Sequence, residues 1–223
     1  MRYRTLAALA MAAALAAAAA PSAHAAPAPD GLLSRADVPA ALGTPKPGKV
    51  NYMVTGVNAA QWDICLPTTG GTPARIGLAA GWEVTVVLTG RGYREVNERL
   101  ATFASEPAAQ STFEQLAAAA ASCTGTSREP VNQSGSVRDG VIVNTNTNGV
   151  LPFGAVWVQT DRRSRVPGDR TTVSTTSTYA VYRQSLNTIT VTWLFQNGPS
   201  TTTARQRAAV NALSARDARV PAQ

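Results

Sequence analysis

Residues 173–196 read Val-Ser-Thr-Thr-Ser-Thr-Tyr-Ala-Val-Tyr-Arg-Gln-Ser-Leu-Asn-Thr-Ile-Thr-Val-Thr-Trp-Leu-Phe-Gln. In the second half, Ile189, Val191, Trp193 and Phe195 share one side of an extended chain, while Thr190, Thr192 and Gln196 share the other. A period of two marks a strand with one buried face. Val173–Arg183 has the same character, and Gln184-Ser185-Leu186-Asn187 is short enough to join the two as an antiparallel pair. Upstream, Trp82, Val84, Val86 and Leu88 alternate with Glu83, Thr85 and Val87, and Gly90-Arg91-Gly92 supplies a turn. Residues 137–145 and 154–161 are also strand-like. The Asn/Thr run Asn144–Asn148 reads as a turn, and Arg162–Arg170 as a basic loop.

Helical signals are fewer. Ser105-Glu106-Pro107 is a helix start, with proline tolerated in the first turn. Phe113, Leu116, Ala117, Ala120 and Ala121 follow at helical spacing, with Cys123 near the same face. Leu32–Pro39 suggests a short helix capped by Ser34, and Pro199-Ser200 opens a last helix carrying Val210 and Leu213. Tyr93–Ala104 reads two ways: Tyr93, Val96, Leu100 and Phe103 form a helical stripe, yet the segment also suits a strand antiparallel to the one before it.

The chain of 223 residues opens on Met1-Arg2-Tyr3-Arg4, an apolar run Leu6–Ala20, and Ala23-His24-Ala25. These are the parts of a secretory signal peptide, with cleavage expected after Ala25. The run is too short for a bilayer span, so no transmembrane segment is expected after cleavage. Residues 26–31 read as a linker, 32–216 as one domain, and 217–223 as a disordered tail. Loss of Arg2 and Arg4 lowers the formal charge from +7 to +5. The cations left are almost all arginine, which suits anionic partners such as an acidic glycan or a lipid head group. Export argues against nucleic acid, and no basic helix or aromatic-basic repeat is present.

His24 is the only histidine, and it lies in the segment expected to be removed. Serine triads, Cys-His nucleophiles and histidine zinc sites would then lack their usual base or ligand. Cys65 and Cys123 are the only cysteines; in an oxidising compartment a structural disulfide is expected, leaving none for a metal. No metal site and no cofactor is expected, since Gly90-Arg91-Gly92 lacks the rest of a dinucleotide fingerprint. Paired carboxylates of an envelope hydrolase remain the alternative to binding. Trp82, Trp157 and Trp193 read either as core or as a stacking platform. Thr171, Thr172, Thr175, Thr176, Thr178, Thr188, Thr190 and Thr192 read as a solvated sheet face or as the floor of a polar site.

Leu32-Leu33-Ser34-Arg35-Ala36-Asp37-Val38-Pro39, the block Val96–Ser105 running to Phe113 and Cys123, the strands over Tyr179–Trp193 and the Ala-rich closing helix together resemble the PknH-like extracellular sensor domain family. The resemblance implies an antiparallel sheet with helices on one face, a ligand cleft and no catalytic residues. It also implies that Tyr93–Ala104 is a strand. One departure is that the kinase sensor domain carries two disulfides, where this chain has cysteines for one.

The expected fold is therefore α+β: an antiparallel sheet of about five to six strands, two main helices packed on one face, and one disulfide, Cys65–Cys123. The expected function is a secreted, non-enzymatic, sensor-like domain binding an extracellular ligand. Arg162, Arg163, Arg165 and Arg170, clustered in one loop, are the candidate anion clamp.

Overall fold

The structure, a computed structural model, describes residues 32–42, 50–65, 74–89, 93–133, 136–166, 172–198 and 201–216. The expected signal segment, linker and tail lie outside these residues. Ten strands and three α-helices follow in the order α1 (Asp37–Ala41), β1 (Val50–Val57), β2 (Ala60–Cys65), β3 (Ala74–Leu78), β4 (Gly81–Leu88), β5 (Tyr93–Thr102), α2 (Glu106–Ser122), β6 (Gly125–Gln133), β7 (Ser136–Val150), β8 (Val156–Val166), β9 (Thr172–Ser185), β10 (Thr188–Gly198) and α3 (Ala204–Arg216). Eight strands form one antiparallel sheet in the order β1-β4-β5-β10-β9-β8-β7-β6, and β2 pairs with β3 as a separate hairpin.

The sheet is wider than expected, and both of its faces are covered. On the first face, α1 and α3 pack over Val84, Val86, Val96, Val181 and Leu194. On the second, α2 and the β2–β3 hairpin pack over Ala101, Val158, Ala180, Tyr182, Ile189 and Val191. The expectation of helices on one face is thus corrected. The reason lies in the central strands, which carry large apolar groups on both sides: Tyr179, Ala180, Val181 and Tyr182 are all buried. A strand apolar on both sides needs cover on both.

The β9–β10 pair forms as its alternation dictates, closed by the two-residue turn Leu186-Asn187. Leu186 takes φ 49°, the sign such tight hairpin turns require. Asn187 anchors the turn by donating its side-chain amide to the Phe103 carbonyl and accepting the Phe103 N–H. Tyr93–Thr102 is a strand, as the resemblance implied, paired with β4 and β10. Gly81 sits so close to β5 that a Cβ there would lie 1.8 Å from the Leu100 carbonyl oxygen; the crossing needs a glycine.

Helix α2 starts at Ser105, whose hydroxyl accepts the Ala108 N–H, and buries Ala109, Leu116 and Ala120. The opening helix is not capped by the Ser34 side chain. Its N-cap is Ala36, and the Ser34 N–H donates to Asp37 instead. Asp37 also pairs with Arg216, tying the first helix to the last. The final helix begins at Ala204, after the Pro199-Ser200 start expected for it.

Two polar stretches expected as a turn and a loop prove to be strand, the second of them over its described part. Asn144–Asn148 runs through the middle of β7, and β8 continues to Val166. Asparagine disfavours strands in isolation, but here cross-strand partners hold it. Asn144 donates to Ser127 at 3.4 Å, and Thr160 donates to Asn146 at 2.9 Å. Asn148 donates to the Ala121 and Cys123 carbonyls at the end of α2. The segment between α2 and β7 forms the edge strand β6.

Candidate ligand cleft

The hairpin β2–β3 lies over the second face of the sheet and is pinned at both ends. At one end Cys65 is bonded to Cys123 just beyond α2, with Cα atoms 5.9 Å apart, as the two-cysteine count anticipated. At the other, Arg99 on β5 donates one guanidinium nitrogen to the carbonyls of Asn58 and Ala79, at 3.0 and 3.1 Å. The same guanidinium lies 5.2 Å from the Trp62 ring centre, within cation–π range.

Arg99 is only 3% exposed. Glu83 faces it in register across β4 and β5. Desolvation raises the Glu83 carboxyl above its usual value, against the pull of Arg99, with the Glu95 charge adding to the rise. Desolvation lowers Arg99, opposed by Glu83. The two groups thus act on each other electrostatically across adjacent strands.

Between the hairpin and the sheet is a cleft of about 210 Å³. Trp62, Asp63 and Ile64 form its wall; Val158, Thr160, Thr178, Ala180, Tyr182 and Trp193 form its floor. Trp62 and Trp193 meet edge-to-face with ring centres 4.8 Å apart. Tyr182 is fully buried, and its hydroxyl faces the Trp62 indole nitrogen. The cleft is therefore aromatic at one end and hydroxyl-lined at the other. Asp63 is already engaged, at 2.5 Å, by Arg75.

The three described candidate arginines do not share one face. Arg162, Arg163 and Arg165 lie on β8, not in a loop, and Arg170 lies outside the described residues. Strand alternation places Arg162 on the cleft face, two residues beyond Thr160, and Arg163 and Arg165 on the opposite face. The threonines also divide. Thr176 and Thr178 belong to the cleft face, whereas Thr175, Thr190 and Thr192 are buried on the other, so no single hydroxyl face exists. Among the tryptophans, Trp193 reaches the cleft. Trp157 packs on Tyr179 in the opposite core, with ring centres 5.6 Å apart. Sequence reasoning missed Trp62. The signal was the alternation of Trp62 and Ile64 immediately before Cys65.

Burial gives both core tyrosines raised phenol values. Desolvation pushes Tyr179 to about 12, partly offset by its hydrogen bond to Asn211 and by Arg207. Desolvation also raises Tyr182, against its contact with Trp62. An acid whose folded value is raised holds its proton in the fold while the unfolded chain loses it, so stability falls as pH climbs through the gap. The urea midpoint is expected to drop between pH 10, where an unfolded phenol ionises, and about 12. Tyr179→Phe should flatten that fall. A midpoint constant over this range would contradict the burial of both hydroxyls.

The fold and cleft define a disulfide-linked α+β domain on an eight-stranded antiparallel sheet. No family model and no curated protein matches the chain. Among solved structures, the extracellular domain of PknH from Mycobacterium tuberculosis is similar to it, with a TM-score of 0.49 and 15% identity, over 85% of this chain and 94% of that one.

Proposed function

We propose that this chain is an exported, non-enzymatic binding domain of sensor type, and that the cleft under the β2–β3 hairpin holds its ligand. The observation that carries this reading is the cleft's composition: two indoles and a phenol beside Thr160 and Thr178. Indole faces stack on apolar or sugar surfaces, and hydroxyls orient polar groups. The volume of about 210 Å³ falls below the ~300 Å³ at which drug-sized pockets begin, so the occupant is on the scale of one ring. Arg162 lies ~7 Å along the strand from Thr160, within reach of a carboxylate or phosphate on that ring. An acidic sugar unit of a glycan fits these features best.

The hydrolase alternative calls for two carboxylates facing each other across a gap of ~5–9.5 Å. Among the described residues Asp63 is the one carboxylate lining this cleft, and it is paired with Arg75, which favours binding. The test is a thermal-shift panel of uronic acids, sugar phosphates and their neutral parent sugars, because a ligand of the folded state raises the melting temperature. Acidic members should stabilise and neutral ones should do so less. Arg162→Ser should weaken the acidic hit about tenfold or more, the scale of a charge-assisted hydrogen bond. Equal shifts from acidic and neutral sugars, or no shift from any member, would contradict the proposal.

A further inference from the structure

We propose a second interaction surface, on the sheet face opposite the cleft, that docks on a membrane carrying anionic phosphate head groups. Its residues are Arg128 on β6, Val141 and Val143 on β7, and Arg163 and Arg165 on β8. Register sets Arg128, Val143 and Arg163 in one cross-strand row, and Val141 beside Arg165 in the next. Neighbouring strands are ~4.8 Å apart, so Arg128 and Arg163 stand ~10 Å from one another with a valine between them. All three arginines are exposed, and Val141 is 42% exposed.

Among the described residues, none of the three arginines is paired with a carboxylate. Asp161, the carboxylate in the adjoining row, accepts hydrogen bonds from Ser177 and Gln159. Arginines interleaved with the exposed Val141 and the half-buried Val143 match a surface that is anionic at phosphate level and apolar just beneath it. A soluble acidic polysaccharide would use the arginines but gain little from the valines, and the patch offers no aromatic platform for sugar rings. Docking by this face would leave the cleft, on the opposite face of the same sheet, turned away from the membrane.

The test is sedimentation with vesicles of phosphatidylcholine alone and of an equal mixture with phosphatidylglycerol, using the full exported chain. Binding should require the anionic lipid and should fall when NaCl rises from ~0.1 to ~1 M, which shortens screening from ~10 to ~3 Å. Each arginine near such a surface contributes about fivefold. Arg128→Ser/Arg163→Ser/Arg165→Ser should therefore lose affinity by roughly a hundredfold while keeping the wild-type circular dichroism spectrum. Arg75→Ser, a cation on the hairpin side, should change binding less than about twofold on the same scale. Val141→Ser should weaken vesicle binding and leave retention on a polygalacturonate column unchanged. Equal binding to neutral vesicles, a triple variant that binds as before, or an unaffected Val141→Ser would overturn the proposal.

Discussion

Cys65→Ser is expected to lower the stability of the fold by about 2–5 kcal/mol, read as a drop in urea midpoint, with a steeper slope because the unfolded chain loses its crosslink and exposes more surface. The bond joins positions 58 apart, and closing a loop of that length is worth ~4 kcal/mol in the chain-entropy account. That rivals the net stability of a small domain, ~5–15 kcal/mol. A local effect adds to it. Cys65 ends β2, the strand that carries Trp62 and Ile64, so the bond clamps the cleft wall to the end of α2. Cys123→Ser should cost the same, and the double variant no more than either alone, because all three remove one bond. Additive losses, or a loss below ~1 kcal/mol, would contradict the disulfide as the hairpin's main anchor.

Arg99→Ala is expected to cost about 2–4 kcal/mol at neutral pH, on the scale of breaking a buried charge interaction and orphaning two carbonyls. The lost groups are specific: the Asn58 and Ala79 carbonyls lose their donor, Trp62 loses its cation, and Glu83 is left without the opposite charge. Glu83 already has a raised value in the wild type, and without Arg99 it rises further. An acid with a raised folded value destabilises when ionised and is relieved by protonation. The penalty of Arg99→Ala should therefore shrink as pH falls from neutral through the usual carboxyl range. Arg99→Lys should restore the charge but not both carbonyl contacts, so it should fall between the two. A pH-independent penalty would show that Glu83 and Arg99 are not coupled.

The legible parts of the chain were those where large apolar groups alternate with polar ones. Strands β4, β9 and β10 and helix α2 follow from Val84/Val86/Leu88, from Ile189/Val191/Trp193 and from Leu116/Ala120. The disulfide followed from compartment and count. Strand β6 and the Asn144–Asn148 part of β7 were hidden because they are held by polar pairs such as Asn144–Ser127 and Asn146–Thr160, which leave no hydrophobic period; the first part of β7 was legible as the strand-like residues 137–145. Strands β2 and β3 were missed because they are only 6 and 5 residues long. Two-sided cover of the sheet was in fact written in the unbroken buried run Tyr179–Tyr182, which a one-sided sheet would not tolerate.

The site was less legible than the fold. Four arginines within nine residues look like a cluster in sequence. A strand turns successive side chains to opposite faces, so Arg162 is separated from Arg163 and Arg165 by the thickness of the sheet. The cleft depends on Trp62 meeting Trp193, a contact between elements far apart in the chain. Only the tertiary arrangement reveals it.

The four tryptophans provide the most direct test of the cleft. Trp62 and Trp193 line it, while Trp82 and Trp157 belong to the opposite face of the sheet. In a nitrogen-15 labelled sample, the indole N–H resonances report on all four at once during titration with a uronic acid or sugar phosphate. A ligand held in the cleft should move the Trp62 and Trp193 resonances saturably and leave Trp82 and Trp157 still. Movement of Trp82 and Trp157 instead, or no movement of Trp62 and Trp193 with a compound that raises the melting temperature, would contradict it.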